Sequence, residues 1–168
     1  MLELRYYGDP VLRKKAASVE KFDDELKEFA AQMVEAMRDA DGVGLAAPQI
    51  GVSLRLAVID TSDGENPPYV LINPEIVYSS LDKEDNEEGC LSMPGISLKI
   101  NRPSSITVKA QNEEGVFYEI ENAQGLLCRA LQHEIDHLNG ILFIDHVSAV
   151  QRALLKGKLK KISEKQRE

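Results

Sequence analysis

Cysteine is scarce, with only Cys90 and Cys128 in 168 residues. In a chain without a secretion signal, so few cysteines argue against a structural disulfide and for metal binding or catalysis. No apolar run approaches the ~18 residues of a membrane helix, so no membrane partner is expected. Met1-Leu2-Glu3-Leu4-Arg5 has neither the basic start nor the apolar run of a signal peptide. A cytoplasmic location is the expectation. Net positive charge is also missing: the formal charge is −8, which speaks against sequence-specific nucleic-acid binding. There is no internal repeat and no linker, so residues 1–168 are expected to form one domain. Regular strand–helix alternation is absent too, which excludes a doubly wound parallel sheet. Gly42-Val43-Gly44 lacks the third glycine and the preceding strand of a dinucleotide fingerprint.

Read in order, the chain predicts an α+β domain. Gly8-Asp9-Pro10 is a turn signal. Leu26, Phe29, Ala30, Met33, Val34 and Met37 follow helical spacing, giving a helix from Phe22-Asp23 to about Asp41-Gly42. Small residues follow, from Gly42 to Pro48, and let a backbone pass close to another object. Gln49 places a donor and an acceptor in this apolar stretch, and its partner stays open. Leu54–Asp60 and Tyr69–Asn73 read as strands, the second stopped by Pro74, with Ile76–Tyr78 a further short one. Asp82–Glu88 is acidic and reads as an exposed or mobile turn. Residues 106–110 and 117–120 alternate apolar and polar around Asn112-Glu113-Glu114-Gly115, a hairpin signal. The strands are expected to be mostly antiparallel and to pack around a central helix.

Charge is distributed unevenly. Residues 148–168 carry seven basic and two acidic side chains, about +5, which leaves about −13 on the rest. A basic C-terminal helix at about 148–165 is expected. Its face is either merely solvated or meets something anionic, such as RNA or an acidic protein.

The strongest chemical signal is Gln132-His133-Glu134-Ile135-Asp136-His137. On a helix, residues four apart share a face, so His133 and His137 can both present a ring nitrogen to one metal ion. Glu134 sits one step round, within reach of a water. This is the two-histidine, one-base pattern of metal-dependent hydrolases. Leu126, Leu127, Ala130, Leu131, Ile135 and Leu138 recur at helical spacing, and Asn139-Gly140 ends the run. The helix is therefore mostly buried, and a buried Glu beside two buried histidines needs a charge partner. For a third ligand, Asp145, His146 and Glu164 lie downstream, but Cys90, 43 residues upstream of His133, is preferred. Gly89 frees its backbone, and a thiolate suits divalent transition metals. One thiolate and two imidazoles leave a fourth position open.

Three segments together resemble the peptide deformylase family: Gly42-Val43-Gly44-Leu45-Ala46-Ala47-Pro48-Gln49, Glu88-Gly89-Cys90-Leu91-Ser92 and Gln132-His133-Glu134-Ile135-Asp136-His137-Leu138. They occur in the family's order and spacing, and the resemblance runs from Gly8 to about Asp145. It implies an α+β fold around a metal-bearing helix. It implies hydrolysis of the formyl group from N-formylmethionine on nascent chains, with release of formate. Cys90, His133 and His137 would hold the metal, natively Fe2+, with Zn2+, Ni2+ or Co2+ able to take the site. Glu134 would be the acid/base residue. Gln49 and the Leu91 N–H would donate to the developing oxyanion. Val43, Gly44 and Gly89 would pair with the peptide backbone, and the methionine side chain would enter a pocket near Val43, Leu126, Ala130 and His133, with Arg129 at the pocket wall. It also implies a ribosome contact through the basic C-terminal helix. Three other readings are open to the same residues: a metallo-endopeptidase, a closed structural metal site, and a cysteine hydrolase with Cys90 as nucleophile.

Overall fold

The computed structural model describes residues 2–167. In chain order it contains α1 (Asp24–Asp39), β1 (Gly44–Ala46), β2 (Leu56–Ile59), β3 (Tyr69–Ser79), β4 (Lys83–Gly89), β5 (Ser97–Pro103), β6 (Ser105–Gln111), β7 (Phe117–Gln124), α2 (Gly125–Leu138), α3 (Ala149–Leu154) and α4 (Lys156–Gln166). Three short 3-10 turns, at Pro10–Arg13, Ala47–Ile50 and Phe143–His146, link them. The α+β expectation holds. One sheet has the order β1-β2-β3-β6-β7 and a second pairs β4 with β5; every strand pair is antiparallel.

The five-stranded sheet is a middle layer. All four residues of β2 are buried, and they alternate between two apolar clusters. Ala57 and Ile59 pack with α2 through Leu131, Ile135 and Leu138, while Leu56 and Val58 pack with α1 through Met33 and Met37. A strand whose successive side chains face opposite ways can be apolar throughout only when both faces are covered. A third cluster gathers Leu12, Met93, Ile96, Ile100, Phe143 and the Leu159 and Ile162 side chains of α4.

Local chemistry sets the element ends. Asp23 caps α1 by accepting the Leu26 N–H at 3.0 Å, and Asp24 and Glu25 complement the positive end of the helix dipole. At the end of α2, the Leu138 carbonyl accepts from the Ala16 N–H and the Arg55 guanidinium, both at 2.9 Å. Gly140 turns the chain away at φ 73°, where a Cβ would lie 2.5 Å from the Arg13 carbonyl oxygen.

Two expectations are corrected. Pro74 does not end its strand, because β3 runs from Tyr69 to Ser79 across a register shift between Ile72 and Glu75. The proline sits in that irregularity, where its missing N–H breaks no ladder bond. Asn73, at φ 51°, secures the bend by donating to the Val19 carbonyl at 3.0 Å and to Gln111 Oε1 at 2.8 Å. The acidic stretch before Cys90 is no loose turn either. It forms β4, paired with β5 from Lys83↔Pro103 to Gly89↔Ser97. Of the β4 side chains only Glu88 is buried, so the backbone ladder, rather than apolar burial, defines the strand.

Candidate metal centre

His133 and His137 project from one face of α2, and Cys90 follows the last residue of β4. The sulfur and one nitrogen of each ring all lie within 4.8 Å of one another. Cys90 Sγ is 3.4 Å from His137 Nε2, and the two rings stand edge to face with centroids 5.0 Å apart. Among the described residues this is the group of His, Cys, Asp and Glu with metal-holding geometry. Two of the three downstream candidates are engaged elsewhere, and Glu164 is not in this group. His146 pairs with Asp136 at 2.8 Å, and Asp145 takes a two-pronged contact from Arg13 at 2.6 and 3.1 Å.

The donor set fits a divalent cation. His133 Nδ1 lies 3.1 Å from Glu88 Oε1. Burial pushes the Glu88 carboxyl up, but hydrogen bonds from His133 and Arg102 outweigh it and hold the group at about 2. A carboxylate there accepts the Nδ1 proton, which leaves Nε2 to face the sulfur. Burial and the neighbouring His133 push the His137 pKa well below its ordinary value, so that ring is neutral, as a ligand must be. Burial acts the same way on His133, yet the Cys90 sulfur and Glu88 draw it toward its protonated form. The pocket thus favours a positive charge where the three donors converge, and a metal ion supplies one.

Beside the donors lies a cavity of about 360 Å³. Its walls include Cys90, His133, Glu134, Gln49, Leu91, Val43, Gly44, Gly89, Arg129 and Ala130. His137 sits behind, 1% exposed. Leu126 is not in the lining. It is 56% exposed, one turn ahead of Ala130 and past the cavity's edge. Arg129 is present, but its guanidinium is tied back to Glu88, the Ile100 carbonyl and the Glu84 carbonyl, so it does not offer itself to a ligand.

Glu134 is buried, and its Oε2 has no hydrogen-bond partner. Burial pushes its carboxyl up to about 7, against the opposing pull of His133 and Arg102. The charge partner that a buried Glu needs is not another side chain: among the described residues Glu134 makes no ion pair. Gly44 explains the small-residue run, since a Cβ there would meet Glu134 Oε1 at 2.8 Å. Gln49, 1% exposed, accepts the Ala46 N–H at 2.9 Å through Oε1. Its Nε2 donates to Ser92 Oγ at 3.2 Å and points at Cys90 Sγ, 3.6 Å away. That is the partner the sequence left open.

Sequence reasoning missed Ser92, Glu88, Arg102 and Asp136. Arg102 donates to Glu88 at 2.6 and 2.9 Å and to Asp136 at 2.9 Å. The available signal was Glu88 itself, an acid next to a candidate ligand, which if buried would need cations.

Comparison with known proteins agrees with this geometry. The profile of the family described as polypeptide deformylase matches residues 1–153. A peptide deformylase of Thermotoga sp. (strain RQ2) is 49% identical over 163 residues, spanning 97% of each chain. The crystal structure of a peptide deformylase from Legionella pneumophila superposes with a TM-score of 0.90 at 47% identity, covering 98% of this chain and 96% of that one. A peptide deformylase 1B structure from Arabidopsis thaliana, in complex with an inhibitor, gives 0.92 at 36% identity over 97% and 91% of the two chains.

Proposed function

The chain belongs to the polypeptide deformylase family and removes the N-formyl group from newly made polypeptides, and from that premise we propose how its residues divide the work. Cys90, His133 and His137 hold one divalent ion, natively Fe2+, with Zn2+, Ni2+ or Co2+ able to substitute. When bound, that ion supplies a Lewis-acid charge that polarises the formyl oxygen and acidifies a water. Glu134 accepts the proton of the attacking water and returns it to the leaving amine, giving formate and a free N-terminus. Its raised pKa and unpaired oxygen suit that exchange. Gln49 Nε2 and the Leu91 N–H donate to the developing oxyanion.

The substrate is a formylated nascent peptide, bound as an extended strand. β1 is an edge strand, and Gly44 and Gly89 flank the cavity. Val43 already gives its carbonyl to the Asp60 N–H at 2.9 Å, so its part in the pairing falls to its own N–H. Backbone pairing accepts many sequences, which suits an enzyme acting on most new chains. The methionine side chain enters beside Val43, Ala130 and His133. We read residues 1–168 as one catalytic domain, because the apolar clusters draw on elements from all along the chain, and we place its work in the cytoplasm, where new chains are made.

The observation that carries this reading is the convergence of one sulfur and two imidazoles on a cavity wall beside an unpaired Glu134 oxygen. The test is formate release from formyl-Met-Ala-Ser, set against cleavage of an internal peptide, before and after metal is stripped and restored. Formate release that vanishes and returns with the metal is expected. Preference for the internal peptide would favour an endopeptidase, and activity surviving full metal removal would favour Cys90 as a nucleophile.

The C-terminal segment offers a second contact, with the ribosome. Lys158 and Lys160 are exposed, while Leu159 and Ile162 are buried against the third cluster. Truncation would therefore open the core. Lys158→Glu with Lys160→Glu tests the contact while leaving the packing intact, and unchanged co-sedimentation with ribosomes would count against it.

A further inference from the structure

Arg129 lies four residues before His133 on the same face of α2, with its side chain 8% exposed. Its Nη1 donates to Glu88 Oε2 at 2.9 Å and to the Ile100 carbonyl at 2.6 Å, and its Nη2 donates to the Glu84 carbonyl. One side chain thus ties α2 to both strands of the β4–β5 hairpin. β4 ends at Gly89, and Cys90 opens the loop that joins it to β5.

Glu88 is the second half of the device. A carboxylate has about four acceptor positions, and here four donors fill them. Oε2 takes Arg102 Nε at 2.6 Å and Arg129 Nη1 at 2.9 Å; Oε1 takes Arg102 Nη2 at 2.9 Å and His133 Nδ1 at 3.1 Å. With three positions held by the arginines, the carboxylate plane cannot turn, and the remaining direction points at the His133 ring. The charges also close, since Arg102 and Arg129 face Glu88 and Asp136.

We propose that Arg129 is a positioning residue for the metal ligands: it clamps the strand that delivers Cys90, and the carboxylate that orients His133, onto the helix that carries both histidines. The ligand set comes from two separate pieces of chain, and few side chains could register one against the other. Without Arg129, the Glu84 and Ile100 carbonyls lose a donor and Glu88 is held by the Arg102 fork and His133 alone. Cys90 and the His133 ring then become free to drift apart. This inference rests on the metal reading of the site and replaces the expected role of Arg129 at the substrate pocket wall.

The test uses the full chain loaded with zinc, mixed with excess of a chromophoric chelator, and compares wild type with Arg129→Met. Loss of a partner behind a metal ligand is expected to speed zinc release about tenfold or more. KM for formyl-Met-Ala-Ser should stay within about twofold, because the guanidinium does not reach the substrate. Arg129→Lys keeps the charge and part of the donor set, so its release rate should fall between the two. If Arg129→Met does not fold, the lysine variant carries the test and must release zinc faster than wild type. Equal release rates overturn the proposal. So does a raised KM with unchanged release, which would return Arg129 to substrate contact, or a lowered metal-free unfolding midpoint with unchanged release, which would make it a packing residue only. Wild-type protein that takes up no zinc at all removes the metal reading itself.

Discussion

Glu134 occupies a buried site with one oxygen left without a partner, an arrangement that costs stability unless something else uses that oxygen. Glu134→Gln keeps the shape and removes the base. It should retain bound metal and lose ~10²-fold or more in turnover, read as formate release alongside metal content. Retained turnover would strip Glu134 of its role. Gly44→Ala approaches the same atom from the other side. The added methyl meets Oε1 at 2.8 Å, so the carboxylate must move, and a displacement near 1 Å in such a site costs about 10²-fold. The expected result is a fall in kcat with metal content unchanged. These two residues were legible from the chain: Glu134 from its place between the histidines, Gly44 from a run of small residues. What the small residues made room for was not legible, because it lies 90 positions away in sequence.

At the level of elements, α2 carries both jobs, with the histidines on one face and the packing residues Leu131, Ile135 and Leu138 on another. Leu131 is fully buried, so Leu131→Ala should lower unfolding free energy by about 2–5 kcal/mol, measured by urea titration. α1, α2 and the β6–β7 hairpin could be read from periodicity, since each buries one apolar face; the C-terminal segment, expected from its charge as one helix at about 148–165, is α3, which buries no side chain, followed by α4. β4 could not, because Glu88 is its one buried side chain and polar alternation carries no hydrophobic signal. β3 looked broken because Pro74 is usually a stop, and only the geometry at Asn73 lets the strand pass through. Cys90 was placed by motif rather than by pattern. The network behind His133 escaped for a related reason: Glu88, Arg102 and Asp136 each look like an ordinary surface charge until the fold buries the first two against a half-buried Asp136.

For the whole molecule, two conditions should change stability in defined directions. A metal held by three ligands binds the folded chain and not the unfolded one, so stripping it should lower the unfolding free energy by about 2.7 kcal/mol if the free ion had stood at 100 times its Kd. Calorimetry of the stripped and restored protein measures this. The second condition is acid. Hydrogen bonds from the Ser62 hydroxyl and N–H, then Arg38, hold the Asp60 carboxyl at about 2, below the unfolded value of about 3.9. Its contribution is therefore complete above about pH 4 and drains away as pH falls toward 2. Asp60→Asn should flatten the acid limb of the stability profile over that range and leave its shape above pH 5 unchanged.

The most direct measurement is metal-edge X-ray absorption on the loaded protein. One sulfur at about 2.3 Å and two nitrogens at about 2.0–2.1 Å, with one further light atom from solvent, is the predicted shell. A shell without sulfur, or one closed by four protein donors, would contradict the account.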